Sequence, residues 1–259
     1  MKLCYPQLST GALAQFPLKR TLGRRTVLNR LPDGSVIRLA DPDASWCKWE
    51  LSYFGLTDAE RTSLESFFQE TEGRLQSFLF MDPCGNLLCW SEDPTKEVWD
   101  ADSLLQINAA EGQVILTNTA QTTQSLRQTL QVPGWFHYCF SAFVKSGSAS
   151  RVRLAIENGD GSIETDAEAD TQWRRVFCSG SLGGAAEEIS CRLQLEPGAV
   201  VEVRGLQMGP QPGVSSAKRT TERNGAFHET RFADDALVFG ADGSDNHSTT
   251  IRLVSRTRA

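Results

Sequence analysis

Two tryptophans, an arginine and a glutamate are the side chains of this 259-residue chain best suited to hold a ligand. Trp135 and Trp173 each offer an indole face on which the C–H side of a sugar ring can stack, and Arg153 and Glu157 offer donors and acceptors for hydroxyl groups. Packing inside a β-sandwich accounts for the same tryptophans, because Trp173 stands beside Val176 and Phe177 in the setting of a core residue. The acidic run from Glu157 to Asp170 places Asn158, Asp160, Ser162, Glu164 and Asp166 at alternate positions, an oxygen-rich set of the kind that binds calcium. Ile163 occupies the sixth place, where a calcium loop turns on glycine, and Ala169 the twelfth, where it needs a bidentate glutamate. A solvated loop is therefore expected, with a structural calcium as the alternative and no other metal or cofactor.

Catalytic chemistry has little to stand on. The histidines are His137, His228 and His247, and no Ser in a GxSxG context accompanies them, so no enzyme is expected. His137 alternates with core positions and reads as a sandwich residue, and His247 sits in the polar loop ADGSDNH. The seven cysteines are odd in number and scattered, which favours reduced thiols over a disulfide framework. Cys84 and Cys89 are too far apart for a CxxC pair and have no histidine near them in sequence, so a zinc site is not expected.

The apolar fraction of 40% and charged fraction of 22% belong to a folded chain long enough for two small domains. No apolar run approaches the roughly 20 residues a membrane helix needs, and MKLCYPQLST lacks the apolar core of a signal peptide. Synthesis in a cytoplasm and no membrane insertion are the expectation. Between Glu97 and Val214 there are 14 acidic and 8 basic side chains, so that segment alone carries the net charge of −6. Lys19, Arg20, Arg24, Arg25 and Arg30 form a basic cluster without aromatic interleaving. It reads as a solvated or subunit-contact surface, and specific nucleic-acid binding is not expected.

The elements that must position these residues are strands and one helix. Thr57 with Glu60 makes a capping box, and Gly73 stops the helix, which is expected over Asp58 to Glu72. Leu64, Phe67 and Phe68 form its apolar stripe. A short aromatic strand, Leu75 to Phe80, follows and is closed by Asp82, Pro83, Gly85 and Asn86. From there the pattern is β: Val152, Leu154 and Ile156 alternate with Arg151 and Arg153, and the same period recurs in Ile189 to Leu195, Val201 to Val203 and Phe136 to Val144. Pro133-Gly134, Ser146-Gly147, Asn158-Gly159-Asp160-Gly161, Gly183-Gly184 and Pro197-Gly198 mark the turns, the punctuation of a two-sheet sandwich.

Two resemblances follow from these motifs. The order LQINAAEGQVILTNT, LRQTLQVPGWFHYCFSAFVKSGS, TQWRRVFCSGSL and ISCRLQLEPGAVVEVRGLQMGPQPGVSSAKRTT resembles a carbohydrate-binding-module jelly roll of the galactose-binding-like type. The segment WCKWELSYFGLTDAERTSLESFFQETEGRLQSFLFMDPCG resembles the first domain of the distal tail proteins of long-tailed phages and prophages. In that family a Trp-rich strand, a short helix, a GR-x-x-x-F strand and a DP turn follow one another. Trp49, Leu51, Leu64, Phe67, Phe68, Gly73, Arg74, Phe78, Phe80, Asp82 and Pro83 stand at the matching places. Some members close with I-x-L-V-x-x-R, and this chain has Ile251, Leu253, Val254 and Arg256.

The resemblance implies a mainly β protein: a discontinuous sandwich or barrel-like ring domain with one short helix over residues 1–96, an inserted jelly roll over 97–216, and strands of 217–259 returning to the ring domain, whose open side the helix covers. It also implies a structural role at the virion tail tip, after assembly in the host cytoplasm, as a ring of six copies between the tail tube protein and the hub and baseplate proteins. The jelly roll would project toward host-surface glycan. The alternatives are a monomeric carbohydrate-binding protein or accessory module, and a trimeric tail-hub component.

Overall fold

The computed structural model describes residues 3–110 and 113–257; Glu111 and Gly112, inside the LQINAAEGQVILTNT stretch, lie outside the described residues. The protein is mainly β with one α-helix, and its strands pair antiparallel. It divides into two compact units, Met1–Ser9, Leu13–Phe80 and Phe227–Ala259 in one and Thr10–Ala12 with Met81–Ala226 in the other. Among the described residues no helix is long and apolar enough to cross a membrane.

The first unit is one open sheet built from both ends of the chain. It contains β1 (Leu18–Arg30), β2 (Val36–Leu56), β3 (Phe78–Met81), and, after the residues of the second unit, β14 (Ala226–Phe232), β15 (Phe239–Gly243) and β16 (Asn246–Arg256). The order is β1-β2-β16-β14-β3, with β15 on the remaining length of β16, and the sheet does not close into a barrel. Alternation decides which face is buried: Cys47, Trp49, Leu51 and Tyr53 of β2 meet Ile251 and Leu253 of β16 on one side, with Leu51 opposite Ile251 and Trp49 opposite Leu253.

Helix α1 (Asp58–Glu70) lies against that face. Thr57 Oγ1 accepts from the Glu60 amide at 3.2 Å, and Glu60 Oε2 accepts from the Thr57 amide at 3.0 Å, so the capping box forms as the sequence predicts. The last turn is shorter than expected, ending at Glu70, because the Thr71 hydroxyl donates to the carbonyls of Phe67 and Phe68 and Glu72 and Gly73 both take positive φ. Gly73 at φ 62° then donates to the Phe68 carbonyl, the closure that a left-handed residue provides. Leu64 and Phe67 are buried, and Phe67 meets Tyr5, Phe78 and Phe232 at centroid distances of 5.8, 5.0 and 6.0 Å. Phe68 is half-buried and packs edge-on to Phe232 at 4.9 Å. Phe80 continues this cluster to Trp49 at 4.9 Å, and burying each such ring contributes about 2–3 kcal/mol. Arg74 is held at the surface by Asp235, 2.8 Å away, and Asp82 and Pro83 are buried in the second unit.

The second unit is a sandwich of two five-stranded sheets. Its strands are β4 (Asp100–Ala101), β5 (Leu105–Ala110), β6 (Gln113–Asn118), β7 (Gln124–Leu130), β8 (His137–Lys145), β9 (Ser150–Asn158), β10 (Gly161–Ala169), β11 (Arg174–Ser181), β12 (Ile189–Leu195) and β13 (Val200–Gly209). One sheet runs β10-β9-β12-β7-β4 and the other β11-β8-β13-β6-β5. Apart from the hairpins β5–β6 and β9–β10, each connection crosses from one sheet to the other, which is jelly-roll connectivity. Tyr138, Phe140, Ala142 and Val144 of β8 face Val152, Leu154 and Ile156 of β9 and Ile189, Cys191, Leu193 and Leu195 of β12 across the core.

Candidate functional site

Alternation along each strand leaves the sandwich two outer faces, and they differ in chemistry. On the β10-β9-β12-β7 face every arginine that reaches a neighbouring strand finds a carboxylate. Arg153 Nε is 2.6 Å from Asp166 Oδ1 and its Nη1 is 3.2 Å from Glu164. Arg192 is 3.1 Å from Glu157 and 2.9 Å from Glu164, and Arg127 is 2.7 Å from Asp102. The hydrogen bond from Arg153 holds the Asp166 carboxyl below the usual carboxylate range, and Asp166 in turn raises the Arg153 guanidinium. This face neutralises itself. A wide depression of about 550 Å³, lined by Arg151, Asp166, Ala167, Glu168 and Arg174, borders it and contains no aromatic ring.

The opposite face, across β11, β8 and β13, carries rings and guanidinium groups in register. Arg175 of β11 and Arg204 of β13 are both direct cross-strand partners of Phe143 on β8, so the three side chains form one row across three strands. The guanidinium carbons of Arg175 and Arg204 lie 5.2 and 5.6 Å from the Phe143 centroid, and Arg204 also lies 4.2 Å from the ring of Trp173. Lys145 is 5.8 Å from the same indole and is neutralised by Glu202 at 2.9 Å. Phe177, one row further along β11, is 49% exposed. The pairing of β13 with β8 slips between Arg204 and Gln207, and Gly205 takes φ 62° at the slip.

The sequence-predicted site residues therefore do not converge. Arg153 and Glu157 share the neutralised face, Trp173 is half-buried on the other, and Trp135 precedes β8 with its ring edge-on to Phe136 at 6.0 Å. Trp173 is not the core residue that its neighbours in sequence imply: Val176 points inward while Trp173 and Phe177 point out. The acidic loop places Asn158 Oδ1 on the amides of Asp160 and Gly161, and commits Glu164 and Asp166 to arginines. Among the described residues no group of three His, Cys, Asp or Glu is placed to hold a metal ion.

His137 occupies the outer side of β8 rather than the core, with Nε2 3.2 Å from Ser179 Oγ. The Ser179 hydroxyl also meets the carbonyls of Tyr138 and Pro212, which hold its proton on backbone oxygen. His247 lies 2.6 Å from Asp58 at the start of α1. Burial pushes the Cys178 and Cys191 thiols up to about 12. Sequence reasoning missed Phe143, Arg175 and Arg204 as a group. Their one local signal is outward parity, which Phe143 shares with Ser141 and Lys145, Arg204 with Glu202, and Arg175 with Trp173 and Phe177.

No protein-family model matches this sequence, and no curated protein matches it. Several solved structures are similar at low levels. A family 61 carbohydrate-binding module in complex with β-1,4-galactotriose is 14% identical with a TM-score of 0.37, over 48% of this chain and 97% of that one. The CBM22-1 xylan-binding domain of Paenibacillus barcinonensis Xyn10C is 15% identical with a TM-score of 0.41, over 52% and 97%. The enzymatically active domain of tailspike protein 4 from bacteriophage CBA120 is 9% identical with a TM-score of 0.39, over 49% and 22%. At these values the likeness assigns neither ligand nor activity to this chain.

Proposed function

We propose that this chain is a non-catalytic structural protein of a phage tail tip. Its first unit joins copies into a ring between the tail tube protein and the hub and baseplate proteins, and its second unit is displayed toward host-surface glycan. The observation that carries the reading is the distal half of the β1–β2 hairpin. Strand β16 flanks β2 only from Trp46 onward, so from Arg25–Asp41 to Arg30–Val36 no further strand among the described residues lies beside the ribbon. That ribbon extends roughly 20 Å at about 3.4 Å per residue. Val27, Ile37 and Leu39 share one face of it and are exposed, Leu39 at 49%, while Leu28, 55% exposed, stands opposite Arg38 on the other face. An isolated two-stranded ribbon is marginal in water, and contiguous exposed apolar residues on one mark a surface that is covered in an assembly. Arg30 and Arg38 on the same arm suit the acidic balance of the rest of the chain.

Mass photometry of the purified full chain tests this. A ring predicts a discrete multimer, six copies by the tail-protein resemblance, which the double variant Val27→Asp, Leu39→Asp converts to monomer without lowering the melting temperature. A wild-type chain that stays monomeric at tens of micromolar rejects the ring, and three copies would move the reading to a hub component. The second reading, a monomeric carbohydrate-binding protein, is favoured by one observation, the row of rings and guanidinium groups around Phe143.

A further inference from the structure

We propose that the outer face of β11-β8-β13 is a binding surface for a polysaccharide bearing uronic acids, with Arg204 and Arg175 taking the carboxylates and Trp173, Phe143 and Phe177 the sugar faces. The inference rests on the glycan half of the proposed function and gives it a site and a ligand class. It begins from the contrast between the two outer faces. The three arginines at the centre of one face, Arg127, Arg153 and Arg192, are matched by carboxylates on or beside neighbouring strands, and that face carries no ring among the described residues. On the other, Arg175 and Arg204 form no ion pair among the described residues. Arg175 spends one N–H on Ser141 Oγ at 3.0 Å, while its Nε is buried without a partner.

Beyond the Lys145–Glu202 pair, Glu92 lies within electrostatic reach of Arg204 without forming an ion pair with it: burial raises its carboxyl, while the Gly205 amide it accepts at 3.1 Å and the charges of Arg219 and Arg204 act to lower it. A guanidinium lying over a ring keeps its donor N–H groups at its edge, where a carboxylate can be bound through two parallel hydrogen bonds. Arg175 and Arg204 flank one ring, so two anionic groups can be met on either side of one stacked sugar. The neighbouring outer positions are closed off by the segment that follows β13: Gln207 bonds Ser215 and the Lys218 amide, and Pro212 O takes the Ser179 hydroxyl. That leaves the Trp173–Arg204–Phe143–Arg175–Phe177 strip as the open part of the face.

Charge also selects the ligand. The segment from Glu97 to Val214 is net negative by six, so a chain with a charge on every unit, such as a nucleic acid, is repelled overall. A polysaccharide in which uronic acids alternate with neutral sugars presents carboxylates to the two arginines and few charges elsewhere.

The test is affinity gel electrophoresis of the full chain, and of its Arg204→Gln, Trp173→Ala and Arg151→Gln variants, in gels containing hyaluronate, partly methyl-esterified pectin, neutral galactan or single-stranded DNA. Thermal melts check that each variant is folded. The expected result is retardation by the two polymers that intersperse uronic acids with uncharged units, which Arg204→Gln and Trp173→Ala each weaken at least tenfold, which Arg151→Gln on the opposite face leaves unchanged, and which galactan and DNA do not reproduce. Retardation by galactan that depends on Trp173 but not on Arg204 would overturn the acidic specificity and keep a glycan role. Absence of retardation by every polysaccharide overturns both. Stronger retardation by DNA, or equal loss with Arg151→Gln, would overturn the site.

Discussion

Replacing Glu60 by glutamine should destabilise the first unit by an amount that depends on pH. Glu60 Oε1 accepts the amide and hydroxyl of Ser9 at 2.9 and 2.6 Å, and Oε2 accepts the amide and hydroxyl of Thr57 at 3.0 and 3.2 Å. One carboxylate thus closes the cap of α1 and ties the N-terminal segment to it. Glutamine keeps the shape but turns an NH₂ donor toward one of those pairs of donors, which removes about two modest hydrogen bonds at a partly exposed site, roughly 1–2 kcal/mol. For a domain near 100 residues each kcal/mol moves Tm by about 4–8 °C, so a drop of roughly 5–10 °C is expected at pH 7.

Burial alone would raise the Glu60 carboxyl, but the hydrogen bonds from Ser9 and Thr57 outweigh it and hold it below its ordinary value. A depressed carboxyl contributes its full stability above the unfolded pKa of about 4.3 and loses it as pH falls through the folded value. Glutamine has no proton to take up, so the gap between wild type and Glu60→Gln should narrow below about pH 4. Circular-dichroism melts at pH 7, 5 and 3.5 measure this. A gap of the same size at all three pH values, or none at pH 7, would refute the account of Glu60 as an ionised cap.

Two further outcomes follow from the cores. Cys178 and Cys191, raised to about 12, favour the folded state fully below the unfolded thiol pKa of about 8.5 and lose that contribution as pH climbs toward 12; at pH 10 each costs about 2 kcal/mol. Urea midpoints at pH 7.5 and 10 should show the loss, and a Cys178→Ala, Cys191→Ala variant with the same slope would assign it elsewhere. Trp49, 1% exposed and edge-on to Phe80 and Phe227 at 4.9 and 4.7 Å, should cost about 3–5 kcal/mol on Trp49→Ala. Calorimetry should show one transition of the full chain falling while the other stays; a uniform shift of both would contradict separate cores.

The sequence alone was enough where the determining contacts are local. Thr57 and Glu60 are three residues apart, so their capping box could be read directly, and the period-two runs in β8, β9 and β12 name their inward residues because side chains on a strand must alternate. Even the end of α1 was legible to within two residues, since Gly73 is the one nearby residue that takes a left-handed conformation without cost. The basic cluster from Lys19 to Arg30 was visible too, but not that Arg25 and Arg30 sit on a ribbon that has no third strand among the described residues.

Tertiary structure decided which outward residues meet. Trp173, Phe143 and Arg204 are separated by 30 or more positions, and only the register of β11 on β8 and of β13 on β8, with its slip at Gly205, brings them to one face. Parity along a strand says that a side chain points out of the sandwich; it does not say from which sheet, nor what lies beside it on the next strand. For that reason Arg153 and Trp173 look alike in sequence, as a cation and a ring beside apolar runs, yet one is consumed by Asp166 and Glu164 and the other is left beside a guanidinium that forms no ion pair among the described residues.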